Sequence, residues 1–172
     1  LLALTPTVEH FEVAASETRA EAAALADEVH RIGEGDPWHG PSLAELLEGV
    51  SAEQAAAHPL AAGHSIWELV LHIAAWADVG RRRLEGQAVE EPEQGDYPPV
   101  GPPTPERWAA AKAALESGHR RLREAVARLT ADQLESPVPG RPYTRRFQVQ
   151  SSVRHVVYHS GQIGLLKKAA LR

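Results

Sequence analysis

Apolar residues along the chain recur mainly three and four positions apart, and the stretches between these runs carry helix start and stop signals. Thr5 followed by Pro6 has the form of an N-cap with proline at the first helical position. It opens an Ala/Glu-rich segment that runs to about Ile32 and is ended by Gly33 and Gly35. After a turn-rich loop over residues 35–41, Ser42 with Glu45 and Ser51 with Gln54 have the spacing of capping boxes and predict two brief connecting helices. The same signature in Ser65 and Glu68 opens a second long helix. Its apolar positions are Ile66, Leu69, Val70, Ile73, Trp76, Ala77 and Leu84, and Gly86 closes it.

Residues 87–103 hold five prolines among acids and glycines, too many for regular structure, and predict a long surface crossover. Thr104 and Pro105 cap a third long helix in which Trp108, Leu115, Leu122 and Leu129 recur at heptad spacing. Glu116/Arg120 and Glu124/Arg128 pairs one turn apart support it. Thr130 and Gln133 start another short connector, and a loop with Pro137, Pro139, Gly140 and Pro142 follows. The last helix is expected from Val149 or Ser151 to about Ala170; Phe147 to Val149 alternates too briefly to argue for a strand.

Each of the four long stripes must be buried against another, so the pattern predicts an all-α four-helix bundle in one domain, residues 1–172. Two long connections permit orders other than up-down-up-down. The composition agrees with a folded protein: 43% of the residues are hydrophobic and 24% charged. A net charge of -5 gives no basic footprint for a phosphate backbone, which argues against nucleic acid. No apolar run approaches the roughly 20 residues of a membrane span, and residues 1–6 lack the charged start of a signal peptide, so a cytoplasmic protein without a membrane partner is expected. Methionine is absent, so Leu1 is not taken as a translational start.

Cysteine is also absent, which removes disulfides, thiolate-ligated metals and a protein thiol nucleophile. Any metal must then be held by His or carboxylates. His155 and His159 lie one turn apart on the last helix, about 40° from each other around its axis, and can reach one ion. Nine histidines in the chain make such a spacing common by chance. Specificity comes with His72, on the shoulder of the second helix's apolar stripe between Leu69 and Trp76: three imidazoles from two packed helices could occupy one side of a divalent cation.

The ordered set Trp38-His39-Gly40-Pro41-Ser42-Leu43, then His64 through His72 to Trp76, then His155 through His159 to Gln162 and Ile163 resembles the DinB/YfiT-like family of metal-binding four-helix bundles. The resemblance spans most of the chain. It implies an up-down-down-up bundle, often a homodimer, with a metal, usually nickel or zinc, bound by His72, His155 and His159. Related bundles include proposed hydrolases, enzymes that add low-molecular-weight thiols such as bacillithiol to electrophiles, and thiol-dependent isomerases; fold analogy does not choose among them. The implied partners are a small-molecule substrate and an external thiol cosubstrate. A noncatalytic metal-binding or dimer-forming module, and a hydrogen-bonded His core without metal, are the alternatives.

The local residues narrow the chemistry. Val156 stands where a His-Glu-x-x-His peptidase has its general base, which excludes a zincin. Glu68 could orient His72 but is explained by its capping box with Ser65. Gln162 and Tyr158 are the candidate catalytic side chains. Trp38, Trp67, Trp76 and Trp108 are expected in the core or a pocket wall, whereas His10, His30, His39, His58, His64 and His119 are expected at the surface or at caps. The arginine runs 81–83, 120–121 and 145–146 read as solvated helix ends.

Overall fold

The computed structural model describes residues 8–60 and 62–170, and side chains from Ala20 onward. The caps at Thr5 and Pro6, and the side chain of His10, lie outside that range. Four long helices, α1 (Val8–Gly33), α4 (Ile66–Leu84), α5 (Pro105–Ala127) and α7 (Arg145–Ala170), are joined through the one-turn helices α2 (Leu43–Leu47), α3 (Ala52–Ala56) and α6 (Ala131–Glu135). No β-strand occurs among the described residues, only an isolated bridge between Pro137 and Thr144.

The predicted start signals are realised in detail. Ser42, Ser51, Ser65 and Thr130 each accept from the backbone N–H three residues on, while Glu45, Gln54, Glu68 and Gln133 return the bond to the cap. Thr104 caps α5 with Pro105 at the first turn. The last helix begins earlier than the expected Val149 or Ser151. Thr144 accepts from the Phe147 N–H with its hydroxyl and from the Gln148 N–H with its carbonyl, so the segment that alternates weakly in sequence is the first turn of α7.

Residue pairings fix the directions. Along α4 and α5, Trp67 meets Trp108, Gly118 lies beside Ala74 and Ala77, and Leu122 lies beside Gly80, an order that makes the two helices parallel. Gly33 faces His119 and His30 bonds Arg123, so α1 and α5 are antiparallel. His72 meets His155, Gly80 meets Gln148 and Ser152, and Arg145 bonds the carbonyl of Leu84, so α4 and α7 are antiparallel. The order is therefore up-down-down-up, and the parallel α4 and α5 need the long crossover between them.

Two apolar clusters fill the bundle. One gathers α2, α3, the N-terminal halves of α4 and α5 and part of α7 around Leu43, Ile66, Trp67, Val70, Trp108, Leu115 and Ile163. The other packs Leu25, Val29, Leu84, Leu122, Val126 and Val149. The heptad residues Trp108, Leu115, Leu122 and Leu129 are all buried, Leu129 just past the end of α5. Trp108 also donates its indole N–H to the Val50 carbonyl at 2.8 Å, tying the α3 connector to the core.

Several side chains depart from the sequence reading. Trp38 is fully exposed, because its turn before α2 sits outside both clusters. His119, expected at the surface, is buried at 4% exposure, because α5 turns that position toward Gly33 of α1. The Arg81, Arg82, Arg83 run divides: Arg81 pairs with Asp78 and Glu85, Arg82 pairs with Glu93, and Arg83 turns inward. Arg128 pairs with Glu85, the residue that caps α4, at 3.7 Å rather than with Glu124. Glu116 and Arg120 lie 3.9 Å apart.

Candidate metal centre

Small residues face each other where α4 packs on α7. A Cβ on Gly80 would stand 3.1 Å from the Ser152 hydroxyl, tighter than ordinary contact. Two turns earlier on α4, His72 points into the same seam and meets His155 and His159, one turn apart on α7. Their Nε2 atoms converge: His72 to His155 is 2.8 Å and His155 to His159 is 3.1 Å. His72 and His159 are each 5% exposed, while His155 is half-buried.

The outer nitrogens decide what the inner ones can do. Nδ1 of His72 lies 2.7 Å from the carbonyl oxygen of Asp96, and Nδ1 of His159 lies 2.6 Å from Oε1 of Gln162. A carbonyl oxygen only accepts, so in the neutral rings both Nδ1 atoms carry the proton and both Nε2 atoms present lone pairs. His155 can offer one Nε2 proton to only one of two neighbours. The arrangement leaves an uncompensated excess of acceptors at its centre, which suits a cation better than a hydrogen-bonded core. Two nitrogens bound to one ion at about 2.0–2.1 Å stand roughly 3 Å apart, close to the separations observed. Among the described residues this is the group of His and acidic side chains whose ligand atoms lie within 4.8 Å of one another.

The rings are held electrically ready. Burial pushes His155 down to about 4, with added repulsion from protonated His159 and His72 and an opposing pull from Asp96. Burial also lowers His159, against the hydrogen bond with Gln162. Both remain neutral at pH 7, the form a metal requires.

Sequence reasoning missed the contribution of the crossover. Asp96 holds His72 through its carbonyl, and its carboxylate, 3.2 Å from the same Nδ1, accepts the Trp76 indole N–H at 2.7 Å. Tyr97 is stacked between His64 and His72, with ring centroids 3.7 and 4.3 Å away. An acid and a tyrosine in a Pro-rich loop give no spacing signal that would mark them. Glu68 has no part in orienting His72. It closes the Ser65 capping box and also meets His58 at 3.0 Å.

Of the two candidate catalytic side chains, Gln162 bonds the outer nitrogen of His159, and Tyr158 is exposed with its ring edge-on to His159 at 4.9 Å. Trp67 and Trp108 are core residues, whereas Trp76 lines a cavity of about 380 Å³ that opens beside His72 and His155. No described helix is long and apolar enough to cross a membrane.

A family model described as the DinB superfamily matches residues 38–162, a span that contains all three imidazoles. No curated protein and no solved structure matches the chain.

Proposed function

The chain belongs to the DinB superfamily, and from that premise we propose that His72, His155 and His159 hold one divalent transition metal, nickel or zinc, in an enzyme acting on a small molecule. The observation that carries this reading is the commitment of both outer nitrogens, to Asp96 and Gln162, which turns the inner lone pairs toward one point. Three protein ligands on one side leave positions open, the pattern of catalytic rather than structural sites.

Such an ion supplies Lewis acidity, which makes a water or an incoming thiol a competent nucleophile near neutral pH. The chain's own residues do the rest. Asp96 and Gln162 fix the tautomers and orientations of two rings. Tyr97 covers the outer face of His72 and keeps water from it. Tyr158 lies edge-on to His159 and exposed, outside the lining of the cavity, so it remains a candidate proton carrier only for a substrate that approaches from the solvent side of His159. The cavity against His72 and His155 favours this catalytic reading over an ion that only ties α4 to α7. Since the chain has no cysteine, a thiol used here comes from outside, and transfer of a bacillithiol-like thiol to an electrophile stands beside hydrolysis as the proposed reaction.

Elemental analysis of protein purified without an affinity tag tests the ligation. About one transition metal per chain is expected, with loss in His159→Ala; equal content in both proteins refutes it. Incubation with a thiol panel and a generic electrophile then separates the reactions. Metal-dependent conjugation marks a transferase, and turnover without thiol marks a hydrolase.

A further inference from the structure

The cavity beside His72 and His155 has a second polar region, and its chemistry differs from that of the imidazoles. The lining also has apolar walls from Ile73, Ala77, Leu122 and Val156, and the acid Asp96 stands at the imidazole end, beside His72. The second region is Arg83, only 6% exposed. Its Nε donates to the Val89 carbonyl at 2.8 Å and its Nη2 to the Glu90 carbonyl at 2.6 Å. Its Nη1 is held more loosely, 3.3 Å from both the Tyr143 hydroxyl and Gln148 Oε1, and these two residues line the cavity as well.

All four partners are neutral. Among the described residues no carboxylate pairs with Arg83, although Arg81 and Arg82 beside it both find acids. Arg141 adds a second guanidinium on the same two carbonyls, at 3.4 and 3.1 Å. A buried cation without a counter-ion is costly, and anchoring a loop through carbonyls does not require one. Burial lowers the affinity of Arg83 for its proton, the Tyr143 hydroxyl opposes this, and Arg141 adds to it. Trp76 connects the two ends: the Arg83 guanidinium carbon is 5.6 Å from its ring centroid, and the His155 ring is 6.4 Å from it on centroids.

We propose that this cavity binds a small organic carboxylate, with its charged group at Arg83 and the rest of the molecule lying along Trp76 toward His72 and His155. Arg83 then determines specificity, its charge balanced by a counter-ion only when substrate arrives. The proposal rests on the metal-centre reading for what happens at the far end of the ligand, but the anion subsite itself needs no metal.

Trp fluorescence titration with benzoate and with its uncharged counterpart benzamide tests it, on the zinc-loaded chain and on the chain stripped with a chelator. Benzoate is expected to bind at least about tenfold more tightly than benzamide in both forms, as charge complementarity in a desolvated pocket requires. Arg83→Gln should erase the preference and Arg83→Lys retain part of it. Since Arg83 also anchors the crossover, Gln148→Glu is the second variant: an acid beside Nη1 supplies the missing counter-ion and should likewise abolish the benzoate preference. Equal affinities in the wild-type chain, no benzoate binding up to about 10 mM, or an undiminished preference in a folded Arg83→Gln or Gln148→Glu chain overturns the proposal. Absence of metal uptake with the benzoate preference intact would refute the metal centre alone.

Discussion

His72 Nδ1 donates to the carbonyl oxygen of Asp96, 24 residues downstream, at 2.7 Å, so the crossover that lets α4 and α5 run parallel also sets the ring that faces α7. Topology and site share one segment. The Asp96 carboxylate adds a second tie by accepting the Trp76 indole N–H.

The carboxylate can be removed without touching the carbonyl. Asp96→Ala should keep the main hydrogen bond to His72 but loosen the loop over it, and should weaken zinc binding about tenfold, the lower end for groups that support metal ligands. Asp96→Asn, which still accepts from Trp76, should lose less. Competition with a chromophoric chelator measures both; a wild-type affinity in Asp96→Ala would show that the backbone alone positions the ring.

Gln162 tests the other outer nitrogen. Gln162→Ala leaves His159 Nδ1 without its acceptor at 2.6 Å, frees the ring to change tautomer, and should reduce zinc affinity about 10- to 100-fold. Gln162→Glu keeps an acceptor and strengthens the bond, so it should bind at least as tightly as wild type. If the two variants behave alike, Gln162 does not act through His159.

Capping boxes and heptads made most of the fold legible in the sequence, because both are local: Ser65 and Glu68 find each other within one turn whatever surrounds them. The imidazole set was legible through its helical spacing and through the resemblance to a known family. Asp96 and Tyr97 were not, since a loop residue reaches His72 only by the path of the whole crossover. His119 and Arg83 went unread for a related reason. Each lies on a helix face that becomes interior only once a particular neighbour packs there, α1 for His119 and the returning crossover with α7 for Arg83. Charge and residue type pointed to solvent, and tertiary packing overruled them.

Gly80 packs against Ser152 and Gln148 in the α4–α7 seam that also carries the three rings. Gly80→Leu would drive a side chain against Ser152 and Gln148 and should destabilise the chain by about 1–3 kcal/mol, the usual cost of overpacking. Because the seam carries both halves of the site, bound zinc per chain should fall with it. Urea denaturation and elemental analysis on one preparation check the two effects together, and a folded Gly80→Leu chain with full metal would show that the rings converge independently of this contact.

His119 gives the acid side of the stability profile. Burial lowers it from the ordinary 6.5 to about 4, and among the described residues its buried Nε2 has no hydrogen-bond partner. The unfolded chain therefore binds a proton here between pH 6.5 and 4 that the folded chain does not. Stability from this group is complete above pH 6.5, falls as the pH drops through that window, and levels off below 4, a loss of about 3 kcal/mol. His119→Leu removes the titrating ring and the unpaired nitrogen in a similar volume. Urea unfolding of the metal-free chain at pH 7 and pH 5 should show a smaller drop in the variant than in the wild type. His155 and His159, also lowered by burial, contribute in the same direction in both chains; His119 adds a minor part to the lowering of His155, which the variant also removes, so the difference reads the whole influence of the His119 ring. An identical pH dependence in the two would mean that His119 takes up its proton in the folded bundle as readily as in the unfolded chain.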